Sequence, residues 1–133
     1  RCGRAGKAAS AGFYDYSPEG DKRLWYGLRE RFPSGEKQPP VQGLIERLLY
    51  TQALESVRCI EQGVMIDAAD IDYASVMGWG FAPYTGGPLT LIDTIGAHEF
   101  VRRCDELAAA LGDRFKVPAL LRKLAHEGGR LRP

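Results

Sequence analysis

The stretch from Gly78 to Leu89 constrains the fold more than any other part of the chain. Its sequence, GWGFAPYTGGPL, sets four glycines and two prolines among three aromatic residues. Glycine permits positive φ and close backbone approach, whereas proline fixes φ and suits the first turn of a helix. A flexible linker would be polar and would lack these rings. We therefore expect a loop of defined shape that packs against this chain's own helices or against a partner.

Composition excludes several classes of protein. The chain has 133 residues, which suits one domain with some extension left over. Apolar residues make up 44% and charged residues 26%, and the net charge of +1 indicates neither nucleic-acid binding nor an acidic tail. No apolar run approaches the roughly 20 residues that span a bilayer. The sequence starts at Arg1 without an initiator Met or a signal-peptide pattern, so we expect a piece of a longer protein.

The cysteines favour a reducing compartment. Cys2, Cys59 and Cys104 are odd in number and have no short spacing, which argues against both a disulfide framework and a zinc site. Cys59 and Cys104 fall within helical patterns and are expected to be ordinary packed thiols. We therefore expect a cytoplasmic location.

The chain divides at a run of breakers between residues 33 and 40, PSGEKQPP. Residues 1–40 are predicted to form an extended arm and linker, with a turn at residues 17–20 and a short helix from Asp21 to Phe32. Residues 41–133 are predicted to form a helical domain.

The longest helix is predicted from Gln42 to Gln62. Its apolar residues recur at steps of mostly three or four, which indicates one buried stripe; they are Leu44, Leu48, Leu49, Ala53, Val57, Ile60 and, just beyond, Val64. Gly63 is placed to end the helix in a left-handed cap.

Four further helices follow. Asp67 is the expected N-cap of a helix that runs through Met77. Gly87-Pro88 starts the next helix and Gly96 ends it. A helix around Phe100 closes at Gly112, and Val117-Pro118 opens a last helix that closes at Gly128-Gly129. No stretch alternates as a half-buried strand does, so the predicted class is all-α.

The residues alone predict no active site. Gly78-x-Gly80-x-x-Pro83 lacks the third glycine of a dinucleotide fingerprint and follows a helix instead of a strand. His98 and His126 have no second ligand at metal spacing and no nucleophile set for activation. Asp67, Asp70 and Asp72 are better explained by caps and a solvated helix start than by a metal. We assign no catalytic, cofactor-binding or metal residue.

A set of motifs spread along the chain nevertheless resembles one known family. The matching residues are Leu48-Leu49-Tyr50, Ala53-Leu54-Glu55, Arg58 to Gly63, Asp70-Ile71-Asp72, Gly78 to Pro83, Gly86 to Leu89, Ile92-Asp93, Gly96, Gly112-x-Arg114-Phe115-x-x-Pro118-x-Leu120-Leu121, and, in the arm, Gly6-Lys7 with Gly12-Phe13-Tyr14. They resemble the C-terminal domain of 3-hydroxyacyl-CoA dehydrogenases, and more closely the second copy of that domain in multifunctional fatty-acid oxidation α subunits.

The resemblance implies a helical bundle of that family type with an extended N-terminal arm. It also implies a parent enzyme of β-oxidation that hydrates enoyl-CoA and oxidises 3-hydroxyacyl-CoA to 3-ketoacyl-CoA with NAD. The cofactor and the catalytic His–Glu pair belong to an NAD domain that this sequence does not contain, so the fragment is expected to bind no NAD. Implied partners are the NAD domain, the first helical copy and a thiolase β subunit.

One substitution bears on catalysis. The family places an active-site Asn in a Gly-Phe-x-x-Asn-Arg motif of the first copy, and the corresponding stretch here is Gly43-Leu44-Ile45-Glu46-Arg47. An ionised Glu cannot donate a hydrogen bond to a substrate carbonyl as Asn can. The resemblance therefore implies that this copy is structural and inactive by itself.

The aromatic loop is the predicted contact surface with the parent enzyme. By resemblance, the two helical copies pack as an internal pseudo-dimer, and Trp79, Phe81, Pro83 and Tyr84 are expected at the contact, with self-association of the fragment as a consequence. The alternative at the loop is that its rings fill this domain's own core. The alternative for the whole chain is a stand-alone helical interaction module. Acyl-CoA binding by the fragment has less support, since the chain lacks clustered Lys and Arg for the CoA phosphates.

Overall fold

The computed structural model describes residues 3–35 and 38–132 and divides the chain into two compact units, residues 1–39 and residues 40–133. The second unit is built from helices, and the two strands among the described residues are short and lie in the first. The prediction of a mainly helical protein is therefore confirmed.

The described residues of the first unit form a 3₁₀ turn (Lys7–Ala9), a small β-hairpin and a single α-helical turn. Strand β1 (Tyr14–Tyr16) pairs antiparallel with β2 (Lys22–Leu24), which places Tyr14 opposite Leu24, and α1 spans Leu28–Arg31. The predicted turn at residues 17–20 is confirmed: the Gly20 amide donates to the Ser17 carbonyl at 3.1 Å, with Gly20 at a φ of 94°. Positive φ favours glycine at this position.

The expected extended arm and the helix from Asp21 to Phe32 are wrong in part. The turn at Gly20 reverses the chain, so residues 22–24 find strand partners in β1 and only Leu28–Arg31 are helical. Arg4 supports the hairpin, because its Nε donates to the Gly12 carbonyl at 2.8 Å and its guanidinium lies 4.4 Å from the centre of the Trp25 ring. Sequence periodicity does not register such pairing over three residues.

The described part of the second unit, residues 40–132, contains five α-helices around one core. They are α2 (Val41–Glu61), α3 (Ala68–Trp79), α4 (Pro88–Ile95), α5 (Ala97–Leu111) and α6 (Ala119–Glu127). Helix α4 packs against α2, α3 and α5, and α6 packs against α5 and α2. The centre is fully buried and apolar; it includes Leu54, Val57, Leu89, Ile92, Phe100, Cys104 and Leu121.

The predicted helix ends are confirmed, except that α3 continues two residues beyond Met77 to Trp79. The Val64 amide donates to the Cys59 carbonyl at 2.9 Å and the Gly63 amide to the Ile60 carbonyl at 2.9 Å, with Gly63 at a φ of 69°. These two bonds form a Schellman motif. Asp67 caps α3 by accepting the Ala69 amide at 2.7 Å. Gly87-Pro88 begins α4, and glycines follow α4, α5 and α6.

The predicted stripe on α2 is wrong at Leu44, Leu48 and Val64. Leu48 and Val64 are each 67% exposed, whereas the buried face of the helix carries Tyr50, Ala53, Leu54 and Val57. At 100° per residue, Leu44 and Leu48 lie on the side of α2 opposite that face. Helix α2 therefore has a core face and a second, exposed apolar face near its N-terminus.

Candidate functional site

The loop between α3 and α4 has the defined shape that its glycines and prolines predict. Gly80 adopts a φ of 74° at the end of α3, and the Phe81 amide then donates to the Ser75 carbonyl at 3.0 Å. A single 3₁₀ turn, Pro83–Thr85, follows, and the Thr85 hydroxyl donates to the Ala82 carbonyl at 2.7 Å. We call residues 79–87 the aromatic loop.

The rings of the aromatic loop point in two directions. Phe81 is 2% exposed and is packed inside this unit, so for this residue the core alternative is correct. A ring that is already buried within its own domain cannot supply a contact surface. Trp79 is 77% exposed and Tyr84 is 79% exposed, and Pro83 is also exposed. The contact with the parent enzyme remains a prediction for Trp79, Pro83 and Tyr84.

A groove separates α2 from α3 beside this loop. Its volume is about 700 Å³ and its walls are mainly apolar. Ser56 and Cys59 of α2 form one wall, Ile71 and Gly78 of α3 form the other, and Trp79 lies at the edge. Sequence reasoning missed this groove. Leu44 and Leu48 could have indicated a second apolar face on α2. They lie on the same side of the helix as Cys59, away from the core.

Asp72 has a role that the sequence analysis did not identify. Asp67 is an N-cap as expected and Asp70 is exposed, but Asp72 is 3% exposed and does not belong to a solvated helix start. Its Oδ1 accepts the Leu89 amide at 2.7 Å, and its Oδ2 accepts the Thr90 amide at 3.1 Å and the Thr90 hydroxyl at 2.6 Å. Asp72 of α3 thus caps the N-terminus of α4, where a carboxylate also complements the helix dipole.

Glu46 lies in the second turn of α2 and binds Arg103 of α5. Its Oε1 accepts from Arg103 Nε at 2.7 Å and its Oε2 accepts from Arg103 Nη2 at 2.6 Å. Hydrogen bonding to this guanidinium holds the pKa of the Glu46 carboxyl below its usual range. Both carboxylate oxygens therefore serve a contact between helices, and the ionised group has no proton to donate.

The remaining reactive side chains show no catalytic arrangement among the residues that the structure describes. Burial raises the pKa of the Cys104 thiol to about 12, so this thiol stays protonated and inert. Cys59 is half-buried and unpaired with another cysteine, and both His98 and His126 are exposed. Cys2 lies outside the described residues.

The described ranges, 3–35 and 38–132, contain neither a metal-binding cluster nor a membrane-spanning helix. They contain no group of three or more His, Cys, Asp or Glu side chains that could hold a metal ion. Among the helices of these ranges, none combines the length and the hydropathy needed to cross a membrane.

The described residues thus define a mainly helical protein with an exposed aromatic loop and an adjacent apolar groove.

No protein-family model matches the chain. Its sequence is similar to proteins named fatty acid oxidation complex subunit alpha. That of Acinetobacter baumannii (strain AYE) is 36% identical over 132 aligned residues, which cover 92% of this chain. Those of Shewanella frigidimarina (strain NCIMB 400) and Shewanella loihica (strain PV-4) are 33% and 31% identical and cover 94% and 96% of it. In each case the chain spans 18% of the relative's length.

Proposed function

We propose that this chain is a fragment of a fatty acid oxidation complex α subunit and forms the second, C-terminal copy of its helical dehydrogenase domain. The observation that carries the proposal is the similarity to those subunits over 92% of the chain. The parent is a β-oxidation enzyme that oxidises 3-hydroxyacyl-CoA to 3-ketoacyl-CoA with NAD and also hydrates enoyl-CoA. Its location is the cytoplasm.

Within the parent, this domain acts as structural support and carries no part of the active site. The Glu46–Arg103 ion pair supports that role, because it commits the position of the family's active-site Asn to a contact between α2 and α5. NAD binds in a separate domain of the parent. This fragment binds no cofactor.

The exposed part of the aromatic loop is the contact surface with the rest of the parent. Trp79, Pro83 and Tyr84 stand out from the unit, and rings exposed to this degree favour burial against a partner. The first helical copy and the NAD domain are the expected neighbours, and a thiolase β subunit completes the complex. When the fragment is alone, the same surface promotes its self-association.

The expected lack of dehydrogenase activity is tested in the reverse direction, with NADH and acetoacetyl-CoA as the substrates. Absorbance at the NADH band is followed for the 133-residue chain, for a no-protein blank and for an intact α subunit as positive control. We expect the chain to match the blank. Glu46→Asn, which restores the amide, is expected to be equally inactive because the catalytic pair lies in another domain. Turnover by either protein above the blank contradicts the proposal.

A stand-alone helical interaction module is the second candidate, and the apolar groove between α2 and α3 favours it. An apolar groove suits the apolar face of an amphipathic helix from a partner. The complete reading frame of the gene distinguishes the two candidates. A βαβ unit with a glycine fingerprint upstream of Arg1 favours the dehydrogenase, and its absence favours the module.

A further inference from the structure

The C-terminal segment, residues 129–132, is bound to α4 by hydrogen bonds from both its backbone and a side chain. The Leu131 amide donates to Asp93 Oδ1 and the Arg132 amide to Asp93 Oδ2, each at 2.9 Å. One carboxylate on α4 therefore accepts two successive backbone amides. Arg132 also reaches the other end of the helix, where its Nη1 donates to the Thr90 hydroxyl oxygen at 2.9 Å. We call residues 129–132 the C-terminal clasp.

Arg132 is also the cation beside a buried carboxylate. Its Nη1 lies 3.5 Å from Asp72 Oδ2, and the Asp72 side chain is only 4% exposed. The Thr90 hydroxyl lies between them, since it donates to Asp72 Oδ2 while accepting from Arg132. A buried charge that loses its partner is strongly destabilised. The position of Asp72 at the N-terminus of α4 is therefore most stable when the clasp is closed.

The aromatic loop ends directly against this group. Gly87, with a φ of 119°, packs so closely on the Asp72 side chain that a β-carbon would overlap it. Gly86 is in a similar position relative to Thr90, whose methyl group would lie 2.8 Å from an added β-carbon. The last two residues of the loop thus rest on the two side chains that Arg132 contacts.

We propose that the C-terminal clasp is a conformational device that positions the aromatic loop through Asp72 and Thr90, with Arg132 as the positioning residue. While the clasp is closed, the N-terminus of α4 is fixed and Pro83 and Tyr84 are presented in one orientation. Loss of the clasp, by substitution or by removal of residues 129–132, releases the loop and the first turn of α4. The packing of α5 against α6 contains none of these contacts and stays intact. This inference does not depend on the proposed function.

Hydrogen–deuterium exchange of the full chain, read by mass spectrometry, tests the clasp. We compare the unsubstituted chain, Arg132→Ala, and Arg130→Ala as the matched control, because Arg130 is an exposed arginine two positions earlier. We expect Arg132→Ala to raise amide exchange about tenfold in residues 80–91, a local opening without global unfolding. Residues 100–107 should be unchanged, Arg130→Ala should match the unsubstituted chain, and Arg132→Lys should restore part of the protection.

Two results overturn the proposal. One is unchanged exchange in residues 80–91 of Arg132→Ala. The other is an equal rise in all helices, which shows a global loss of stability instead of a positioned loop. If Arg132→Ala does not fold, Asp93→Asn replaces it. This variant removes one acceptor for the clasp amides and keeps Arg132, and the same segment is expected to lose protection while residues 100–107 do not.

Discussion

Glu46 of α2 and Arg103 of α5, 57 residues apart in sequence, are joined by two parallel hydrogen bonds of 2.7 and 2.6 Å. A paired carboxylate and guanidinium of this geometry is the strong form of a charged hydrogen bond. Arg103 Nη1 also binds Glu106 at 2.7 Å, so the guanidinium is held from both helices. The pair therefore joins α2 directly to α5.

Glu46→Gln should lower the free energy of unfolding by about 0.5–1 kcal/mol at neutral pH. This loss is near the upper end of the range for surface ion pairs, because the Glu46 side chain is only 20% exposed and its contact with Arg103 is bidentate. Glu55→Gln is the control, since Glu55 is 65% exposed and pairs within its own helix with Arg58. Urea unfolding measures both. Equal losses in the two variants would show that the Glu46 pair has no special role.

The effect of Glu46→Gln should depend on pH in one direction. Arg103 lowers the pKa of Glu46 in the folded protein below its unfolded value of about 4.3. The ion pair therefore contributes its full stability above that unfolded pKa, and the contribution is lost as pH falls through the folded pKa. The difference in unfolding free energy between the unsubstituted chain and Glu46→Gln should be constant above about pH 5.5 and shrink below about pH 4. A difference that grows as the pH falls contradicts this account.

Gly63→Ala should destabilise the protein by about 1 kcal/mol or somewhat more, and Gly63→Val by a larger amount. The reason is conformational, because a β-carbon at Gly63 meets open space but the φ of 69° is left-handed. Gly78→Ala is the matched control. A β-carbon at Gly78 also meets open space, but Gly78 lies inside α3 and has no positive φ. It should leave stability unchanged or raise it by up to about 1 kcal/mol. Thermal midpoints that fail to separate the two alanine variants would contradict the Schellman assignment.

The helix ends could be predicted from the sequence because the interactions that form them are local. Helix ends depend on residues within one turn of each other, so Gly63 and Asp67 are recognisable without knowledge of the rest of the fold. The burial of Asp72 could not be inferred in this way, because its partners Leu89 and Thr90 are 17 and 18 residues away. The hairpin of residues 14–24 depends on pairing across a turn, which periodicity does not detect.

The sequence pattern also did not predict which side of α2 faces the core. Leu48 and Leu54 are equally apolar, and only the positions of α4 and α6 determine that Leu54 is fully buried and Leu48 is 67% exposed. The same limit applies to the aromatic loop, where composition predicts a shaped loop but not that Phe81 turns inward while Trp79 and Tyr84 turn outward.

Gly87→Ala should be more damaging than Gly63→Ala. An added β-carbon at Gly87 overlaps the Asp72 side chain and also requires a φ of 119°, so overpacking adds to backbone strain. Overpacking alone typically costs about 1–3 kcal/mol. Urea unfolding of the two variants gives the comparison. A Gly87→Ala variant as stable as Gly63→Ala would show that Asp72 can move away from the loop at little cost.

Phe81→Ala should lower the free energy of unfolding by about 3–5 kcal/mol, because a fully buried ring is lost from the core. Tyr84→Ala should change it by less than about 0.5 kcal/mol, as is usual for surface positions. The thermal midpoints of both variants give the comparison. A small effect for Phe81→Ala would mean that its ring is not packed in this unit.

The most direct test of the contact-surface role is sedimentation velocity of the chain over a range of concentrations. We compare the unsubstituted chain with Trp79→Ser/Tyr84→Ser, and with Tyr73→Ser as control, since Tyr73 is 69% exposed on α3 outside the aromatic loop. We predict concentration-dependent self-association of the unsubstituted chain and of the control. The double variant should be monomeric with an unchanged melting transition. A monomeric unsubstituted chain, or self-association that persists in the double variant, would contradict the account.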